Sequence, residues 1–173
     1  IEEVSKATGM DSRIGSSFLK ASIGFGGSCF KKDILNLVYI SRHYGLNEVA
    51  NYWESVVNIN NYQTERIGEL VINALDYQNI NKTVTILGWA FKKNTNDSRE
   101  SASIYLAKIL IENHIKVNVY DPMVSKERII DDLNQLGLEA NSSVLEVFKS
   151  PDQAAESSSG IAFCTEWDEF KTL

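Results

Sequence analysis

Cysteine is scarce in this sequence: Cys29 and Cys164 are the two among 173 residues. Two thiols so far apart do not complete a four-ligand zinc site, and they do not form the dense pattern of a disulfide-stapled domain. We therefore predict no metal site. Free thiols persist in reducing compartments, so this scarcity favours a cytoplasmic protein.

Long apolar runs and an excess of positive charge are also missing. No run reaches the length needed to cross a bilayer and no secretory signal pattern opens the chain, so we expect no membrane partner. The 17 lysines and arginines against 23 aspartates and glutamates give a formal net charge of -6. That charge argues against a general nucleic-acid binder, although it is compatible with a local basic pocket for phosphates.

The first half of the chain has helical periodicity. Apolar residues recur at helical spacing over 29–43, where Gly45 ends the pattern, and a second stripe runs over 49–74. Glycines before the first of these segments predict a loop over 21–28. A stripe of about 30 residues is long for a globular helix. It predicts pairing with a twin helix of a second copy, and hence a homo-oligomer.

From Lys82 onward, strand and helix patterns alternate, which predicts parallel βαβ units. The strand patterns are TVTILGWAF (83–91), IKVNVYDP (115–122) and GIAFCT (160–165), and the helix patterns are SRESASIYLAKILIENH (98–114), SKERIIDDL (125–133) and EWDEF (166–170). The predicted class is α/β. A helical domain over 1–81, with a long central helix, precedes a Rossmann-like, doubly wound parallel sheet domain over 82–173.

The turn after the first predicted strand lacks the dinucleotide fingerprint. It has Gly88 alone in place of G-x-G-x-x-G. Asp121 ends the next strand, 33 residues later, where a ribose-binding acid is expected after about 20 residues. Asp121 either holds a ribose or, with the following proline, merely ends the strand. Lys92, Lys93 and Arg99 follow the turn and either form a phosphate site or are solvated loop charges.

Cys29 stands at a helix start, behind the glycines of residues 24–27. A helix N-terminus, with Lys31 and Lys32 nearby, favours the reactive thiolate. Glycines let backbone N–H groups approach an oxygen or phosphate closely, which predicts an amide-lined cradle. Asp33 follows one helical turn later on the same face, where its carboxylate either orients a water molecule or pairs with Lys32. The pattern indicates a nucleophile; the alternative is a small buried residue at a helix start.

Three further residues allow simpler interpretations. Cys164 lies in an apolar strand pattern and is expected to be buried. Asn60 and Gln63 interrupt the apolar stripe of the long helix. They face a site, a partner subunit or solvent.

The string GFGGSCFKKDILNLVYI at 24–40 resembles the catalytic segment of the UDP-glucose/GDP-mannose dehydrogenase family, particularly its animal-type members that oxidise UDP-glucose. The likeness extends over essentially the whole chain, through GMDSRIGSSFLKAS (9–22), GWAFKKNTNDSRES (88–101), YDP (120–122) and CTEWDEF (164–170). It is weakest over 131–150, which is shorter than in animal members.

This resemblance implies an enzyme that oxidises UDP-glucose to UDP-glucuronate with two NAD per turnover, through a cysteine thiohemiacetal and thioester. It implies an NAD-binding domain upstream of this chain, a dimerisation role for 1–81, and a UDP-binding domain over 82–173 that is incomplete at its C-terminal end. Both ends of the chain read as cut, so we expect a fragment that is inactive alone. The full enzyme is expected to be a dimer or a hexamer.

Matched position by position, the resemblance implies Cys29 as the nucleophile and Asp33 as the carboxylate that assists it. The implied cofactor contacts are Cys29, Phe30, Lys31, Lys32 and Arg99. The implied substrate contacts are Arg13, which reaches a neighbouring subunit, Lys20, Ala21, Ser22, Ile23, Gly24, Phe25, Gly26, Phe91 and Lys92. Two alternatives remain: a related dehydrogenase acting on GDP-mannose or UDP-N-acetyl sugars, and a non-catalytic module for UDP-sugar binding or oligomerisation.

Overall fold

The computed structural model describes residues 1–75 and 82–173. The helices are α1 (Glu2–Gly9), α2 (Phe30–His43), α3 (Asn47–Ala74), α4 (Ala102–Glu112), α5 (Lys126–Gln135) and α6 (Pro151–Ala155), with a 3-10 helix at Asp168–Thr172. The strands are β1 (Thr83–Leu87), β2 (Lys116–Tyr120), β3 (Leu145–Val147) and β4 (Gly160–Phe163). The predicted domain boundary between residues 81 and 82 falls at the edge of the segment outside the described residues, and it stays a prediction.

The strands form one parallel sheet in the order β3-β2-β1-β4. The chain moves outward from β1 to β3 and then returns to place β4 on the other side of β1. The strand order therefore reverses between β1 and β4. Ligands of open α/β sheets bind beyond the carboxyl ends of the strands at such a switch point. The predicted α/β class with a parallel sheet is confirmed.

The core lies on both faces of the two central strands. Residues 84–87 of β1 and 117–119 of β2 are all buried. Successive strand side chains point to opposite faces, so both faces of the sheet are covered. Leu106 and Leu110 of α4 belong to this core, and Leu75, just after α3, joins it. The long helix is thereby fixed to the sheet.

Helices α2 and α3 confirm the two helices predicted in the first half, and α3 has 28 residues. The predicted apolar stripe of α3 is displaced, however, because Val49 and Ala74 are exposed while Thr64 and Gly68 are buried. Thr64 and Gly68 are small enough for other parts of the chain to approach closely. A Cβ at Gly68 would come within 2.8 Å of Ile109 on α4.

One predicted element needs correction and two were missed. The pattern at 166–170 leads into the 3-10 helix, and the short elements β3 and α6 were not predicted. Elements of three to five residues are too short for a periodic pattern to reveal them. Across residues 1–75 and 82–173, no helix is both long and apolar enough to cross a bilayer.

Candidate active site

Cys29 lies at the junction between the glycine loop and α2. It is the N-cap residue of α2 and its side chain is exposed, so the interpretation as a small buried residue is wrong. Its carbonyl oxygen accepts the first helical hydrogen bond from the Asp33 N–H at 2.8 Å. Ile34 and Val38 bury the inner face of α2 and hold this helix start in place.

Polar side chains of α3 hold the glycine loop. The Asn60 side chain accepts from the Phe25 N–H at 2.8 Å and donates to the Phe25 carbonyl oxygen at 3.1 Å. Two neighbours donate to the loop carbonyls: Gln63 to Ser22 at 3.3 Å and Thr64 to Ile23 at 3.0 Å. Asn60 and Gln63 therefore bind this chain's own loop, which none of the three sequence-based interpretations anticipated.

The other side of the loop lies against the segment after β1. The Gly27 N–H donates to the Arg99 carbonyl oxygen at 2.8 Å, and a Cβ at Gly26 would overlap the carbonyl oxygen of Glu100. A Cβ at Gly27 would lie 3.0 Å from the Phe91 ring. Glycine is required here because backbone approaches backbone.

The predicted amide cradle is wrong for three of the loop's N–H groups. Those of Gly24, Phe25 and Gly27 are bonded to Ser22 Oγ, to the Asn60 side chain and to the Arg99 carbonyl oxygen. Buried backbone groups need partners, and a loop packed between α3 and the segment after β1 finds them within the chain. The loop is a packed support for Cys29.

Lys31 and Glu100 form an ion pair beside the cysteine, with Nζ 2.7 Å from Oε2. Burial alone would lower the pKa of Lys31, but the hydrogen bond to Glu100 and the electrostatic interaction with Tyr105 raise it instead. Burial alone would raise the pKa of Glu100, but hydrogen bonds from Lys31 and Tyr105 lower it. Both groups are therefore charged at neutral pH.

A cavity of about 580 Å³ opens next to the cysteine, and Ser28 lines it. Its cations are Lys31, Lys32, Arg99 and Arg128, against the carboxylates of Glu100 and Asp132. The cavity therefore favours an anionic ligand. It brings together three of the five predicted cofactor contacts.

Two of these cations are exposed at the cavity mouth. Lys32 Nζ lies 3.5 Å from the Asp33 carboxylate, the pair that the sequence suggested. Arg99 forms a two-point interaction with Asp97, at 2.8 and 3.0 Å. That hydrogen bond raises the pKa of Arg99, and the negative charge of Cys29 adds to the effect. Arg99 is therefore a cation within electrostatic reach of the Cys29 sulfur.

Arg128 was not predicted. Its guanidinium is paired with the buried Asp132 at 2.8 Å and donates to Ser98 Oγ at 3.0 Å. Asp132 also accepts from the Trp89 indole N–H at 2.9 Å. Arg128 and Asp132 are one helical turn apart on α5, which was the signal available in the sequence.

Asp121 has a structural role, and the ribose interpretation is wrong. It is 8% exposed, and both of its carboxylate oxygens accept hydrogen bonds from the chain. The donors are the backbone N–H groups of Trp89, Ala90, Met123 and Val124 and the indole of Trp167. The N–H groups that follow β1, which hold the pyrophosphate in a dinucleotide turn, are thus bonded to the chain's own carboxylate.

A second group of predicted residues lies near the switch point between β1 and β4. Lys20 Nζ is 3.7 Å from Glu166, just beyond β4. Lys92 Nζ lies 5.3 Å from the centre of the Phe91 ring, just beyond β1. The exposed residues Ala21 and Ser22 follow Lys20. Lys20, Phe91 and Lys92, three of the predicted substrate contacts, thus lie near the carboxyl ends of β1 and β4.

The remaining predicted residues support or stand apart from these groups. Phe30 packs edge-on against Phe25 with ring centroids 4.7 Å apart, which links the loop to α2. Arg13 is 87% exposed and paired with Asp11 at 2.6 Å, so its role on a neighbouring copy stays a prediction. Cys164 lies just after β4 and is half-buried, so the predicted buried strand cysteine is only partly confirmed. Desolvation of its sulfur raises the pKa of the Cys164 thiol to about 12.

Known proteins resemble the chain over its whole length. It is 47% identical over 176 residues to UDP-glucose 6-dehydrogenases of Mus musculus and Gallus gallus, covering 100% of this chain and 36% of each relative. A UDP-glucose dehydrogenase structure from Pyrobaculum islandicum superposes with a TM-score of 0.79 at 30% identity, covering 99% of this chain and 37% of that one. The chain thus spans about a third of the length of its relatives.

Two family models match consecutive parts of the chain. The central domain model of the UDP-glucose/GDP-mannose dehydrogenase family matches residues 1–62. The UDP binding domain model of the same family matches residues 85–173. Together with the identity to UDP-glucose 6-dehydrogenases, these matches identify the chain as a member of the UDP-glucose/GDP-mannose dehydrogenase family.

Proposed function

We propose that this chain is the cysteine-bearing and UDP-binding part of an NAD-dependent UDP-glucose 6-dehydrogenase. The observation that carries the proposal is the exposed Cys29 at the start of α2, supported on both sides by packed backbone. Identity of 47% to UDP-glucose 6-dehydrogenases over an alignment of 176 residues, which includes α2 and its loop, supports UDP-glucose as the substrate. The reaction converts the C6 alcohol of UDP-glucose to the carboxylate of UDP-glucuronate.

Cys29 supplies covalent catalysis between the two oxidations. After the alcohol has been oxidised to an aldehyde, the Cys29 thiolate adds to the aldehyde carbon and its oxygen takes up a proton, which gives a thiohemiacetal. Loss of a hydride and a proton converts the thiohemiacetal to a thioester. Water then hydrolyses the thioester and releases the thiol. We assign the orientation of that water to Asp33, which is exposed one turn along α2.

Part of the proposed cofactor site fits the residues present. NAD, when bound, accepts the hydride in each of the two oxidations. Lys32 and Arg99, with Lys31 and Phe30 alongside, would contact it, since the lining of the cavity beside Ser28 has four cations against two carboxylates. The turn after β1 does not fit a pyrophosphate, because its N–H groups are bonded to Asp121. We therefore place the main NAD-binding domain in the part of the enzyme outside this chain.

The UDP-glucose site is proposed at the switch point between β1 and β4. The positive charges of Lys20 and Lys92 would bind the diphosphate at the carboxyl ends of the parallel strands, where ligands of such sheets bind. The backbone of residues 21–26 and the Phe91 ring border the same region. Arg13 would complete the site of a neighbouring subunit.

The oligomer is proposed to form through α3, as a dimer or as part of a hexamer. Tyr52, Ile59 and Leu70 share one face of this helix by their spacing and are each more than half exposed. Twofold pairing would bury that face on both copies. We place the enzyme in the cytoplasm, because free thiols persist in reducing compartments.

The test uses full-length enzyme and the variant Cys29→Ala, with Cys164→Ala as the control that removes the other thiol. Wild-type enzyme should form UDP-glucuronate and two NADH per UDP-glucose. Cys29→Ala should form no uronate and should still bind UDP-glucose, while Cys164→Ala should stay active. Uronate formation by Cys29→Ala would overturn the assignment of Cys29 as the nucleophile. Preferential oxidation of GDP-mannose or a UDP-N-acetyl sugar would overturn the assignment of UDP-glucose as the substrate.

A further inference from the structure

Glu100 has an unusual backbone conformation for a residue with a side chain. Its φ is +55°, in the left-handed region that favours glycine. Its carbonyl oxygen packs directly on Gly26, and its neighbour Arg99 accepts the Gly27 N–H. Non-glycine residues keep such a conformation where the surroundings impose it, often at functional sites. The strained backbone is therefore part of the support of the glycine loop.

The Glu100 side chain extends to the other side of Cys29. Its Oε2 accepts from Lys31 Nζ at 2.7 Å and from the Tyr105 hydroxyl at 2.6 Å. Lys31 lies in the first turn of α2, two residues after Cys29, and its ammonium also lies 5.4 Å from the centre of the Tyr105 ring. All three side chains are partly buried. The ion pair is therefore better shielded from water than a surface pair.

We propose that Glu100 is a positioning residue that fixes the Cys29 sulfur, by holding the loop before it with the backbone and the helix turn after it with the carboxylate. This inference rests on the proposed function. The carboxylate joins α2 to the start of α4 across 69 positions of sequence. The cysteine is thereby held at a defined place relative to the turn after β1, where substrate contacts are proposed.

Positioning matters most when the thiolate adds to the aldehyde. A displacement on the order of 1 Å at a reacting group can cost about 10²-fold in rate. A poorly placed Cys29 would leave the first oxidation largely intact but would capture the aldehyde slowly. Free aldehyde would then escape, and the ratio of NADH to uronate would rise above two.

The experiment compares full-length wild type with Glu100→Gln, Glu100→Gly and the control Glu112→Gln. Glutamine removes the charge with little change of shape. Glycine is relaxed at φ +55°, so Glu100→Gly separates positioning from folding. Glu112 is an exposed residue at the far end of α4 and pairs with Lys108 instead. The readouts are uronate rate, KM for UDP-glucose, aldehyde trapped by hydroxylamine, and Tm.

We expect Glu100→Gln and Glu100→Gly to lose about 10- to 100-fold in uronate rate, to release trappable aldehyde, and to keep KM for UDP-glucose within about threefold. Both Glu100 variants should show a lower Tm because they lose the ion pair with Lys31, but Glu100→Gly should melt no lower than Glu100→Gln because glycine relaxes the backbone. Glu112→Gln should match wild type. Uronate rates within twofold of wild type in both Glu100 variants, without aldehyde release, would overturn the inference.

Alkylation of Cys29 by iodoacetamide, without substrate or cofactor, separates the inference from the proposed function. Its rate, followed by mass spectrometry with the unreactive Cys164 as internal reference, should change at least threefold in both Glu100 variants. An unchanged rate would count against positioning even if the wild type makes no uronate. A wild type that makes no uronate would overturn the proposed function alone.

Discussion

The Asn60 side chain binds both backbone groups of Phe25, accepting its N–H at 2.8 Å and donating to its carbonyl oxygen at 3.1 Å. A single amide on α3 thus imitates a neighbouring strand for one loop residue. The two positions are 35 residues apart in sequence. This contact ties the loop that precedes Cys29 to the longest helix of the chain.

Asn60→Ala should destabilise the protein and loosen the glycine loop. Both backbone groups of Phe25 lose their partner, which we expect to cost about 1–3 kcal/mol in the free energy of unfolding. Urea denaturation measures the change, and the exposed neighbour Asn61→Ala is the matched control. Equal stability of the two variants would mean that water or a rearranged loop replaces the Asn60 contacts.

Arg99 and Lys92 should respond to different ligands. Arg99 lies within electrostatic reach of Cys29, and Lys92 lies at the switch point of the sheet. In full-length enzyme, Arg99→Ala should raise KM for NAD by about tenfold or more, on the scale of one charge-assisted hydrogen bond. Lys92→Ala should do the same for UDP-glucose. Steady-state kinetics measures both, with Lys126→Ala as the control for lost surface charge.

If each variant weakened both ligands equally, the assignment of the two cations would be wrong. An effect of Lys126→Ala as large as theirs would point to net charge instead of direct contact.

The Lys31–Glu100 pair should stabilise the fold at neutral pH and stop doing so in acid. The pKa of Glu100 is lowered in the folded protein, so on acidification Glu100 is protonated in the unfolded chain at a higher pH than in the folded one. The contribution of the pair to the free energy of unfolding is complete above pH 4.5, the ordinary pKa of a glutamate in the unfolded chain. It is lost as the pH falls through the lower pKa of Glu100 in the folded protein. Lys31 and Tyr105, the other titratable groups facing the carboxylate, keep their charge states in this range.

Urea midpoints of wild type and Glu100→Gln, measured from pH 7 to pH 3, test this prediction. The part of their difference that depends on pH should shrink below about pH 4.5. A difference that stays constant down to pH 3 would mean that the ion pair does not stabilise the folded state.

The 173-residue chain should be a dimer and should be inactive with UDP-glucose and NAD. Tyr52, Ile59 and Leu70 leave an apolar face of α3 exposed, and such a face is expected to pair with its copy. Sedimentation measures the association and NADH absorbance measures the activity. Ile59→Asp should give a monomer, while the exposed neighbour Asn58→Asp should stay dimeric. A monomeric parent chain would contradict the pairing, and NADH production would contradict the inactivity.

The sequence by itself determined the elements that local patterns encode. The apolar spacing of α2 and α3, the glycine after α2, and the β-branched residues of β1 each act within a few positions of the chain. Those patterns predicted the helices, the parallel sheet and a cysteine at a helix start, whereas the exposure of that cysteine became clear from the fold. The short β3 and α6 carry too few residues for any such pattern.

The tertiary structure decided which polar groups are bonded to which. Whether Asp121 binds a ribose depends on the N–H groups that fold against it, and five donors within the chain already occupy it. Whether the loop amides are free depends on Asn60 and Arg99, and Lys31 is paired with a glutamate 69 positions away. A hydrogen bond needs its donor and acceptor within about 3 Å. Sequence periodicity carries no information about such meetings between distant segments, so only the packed fold could assign them.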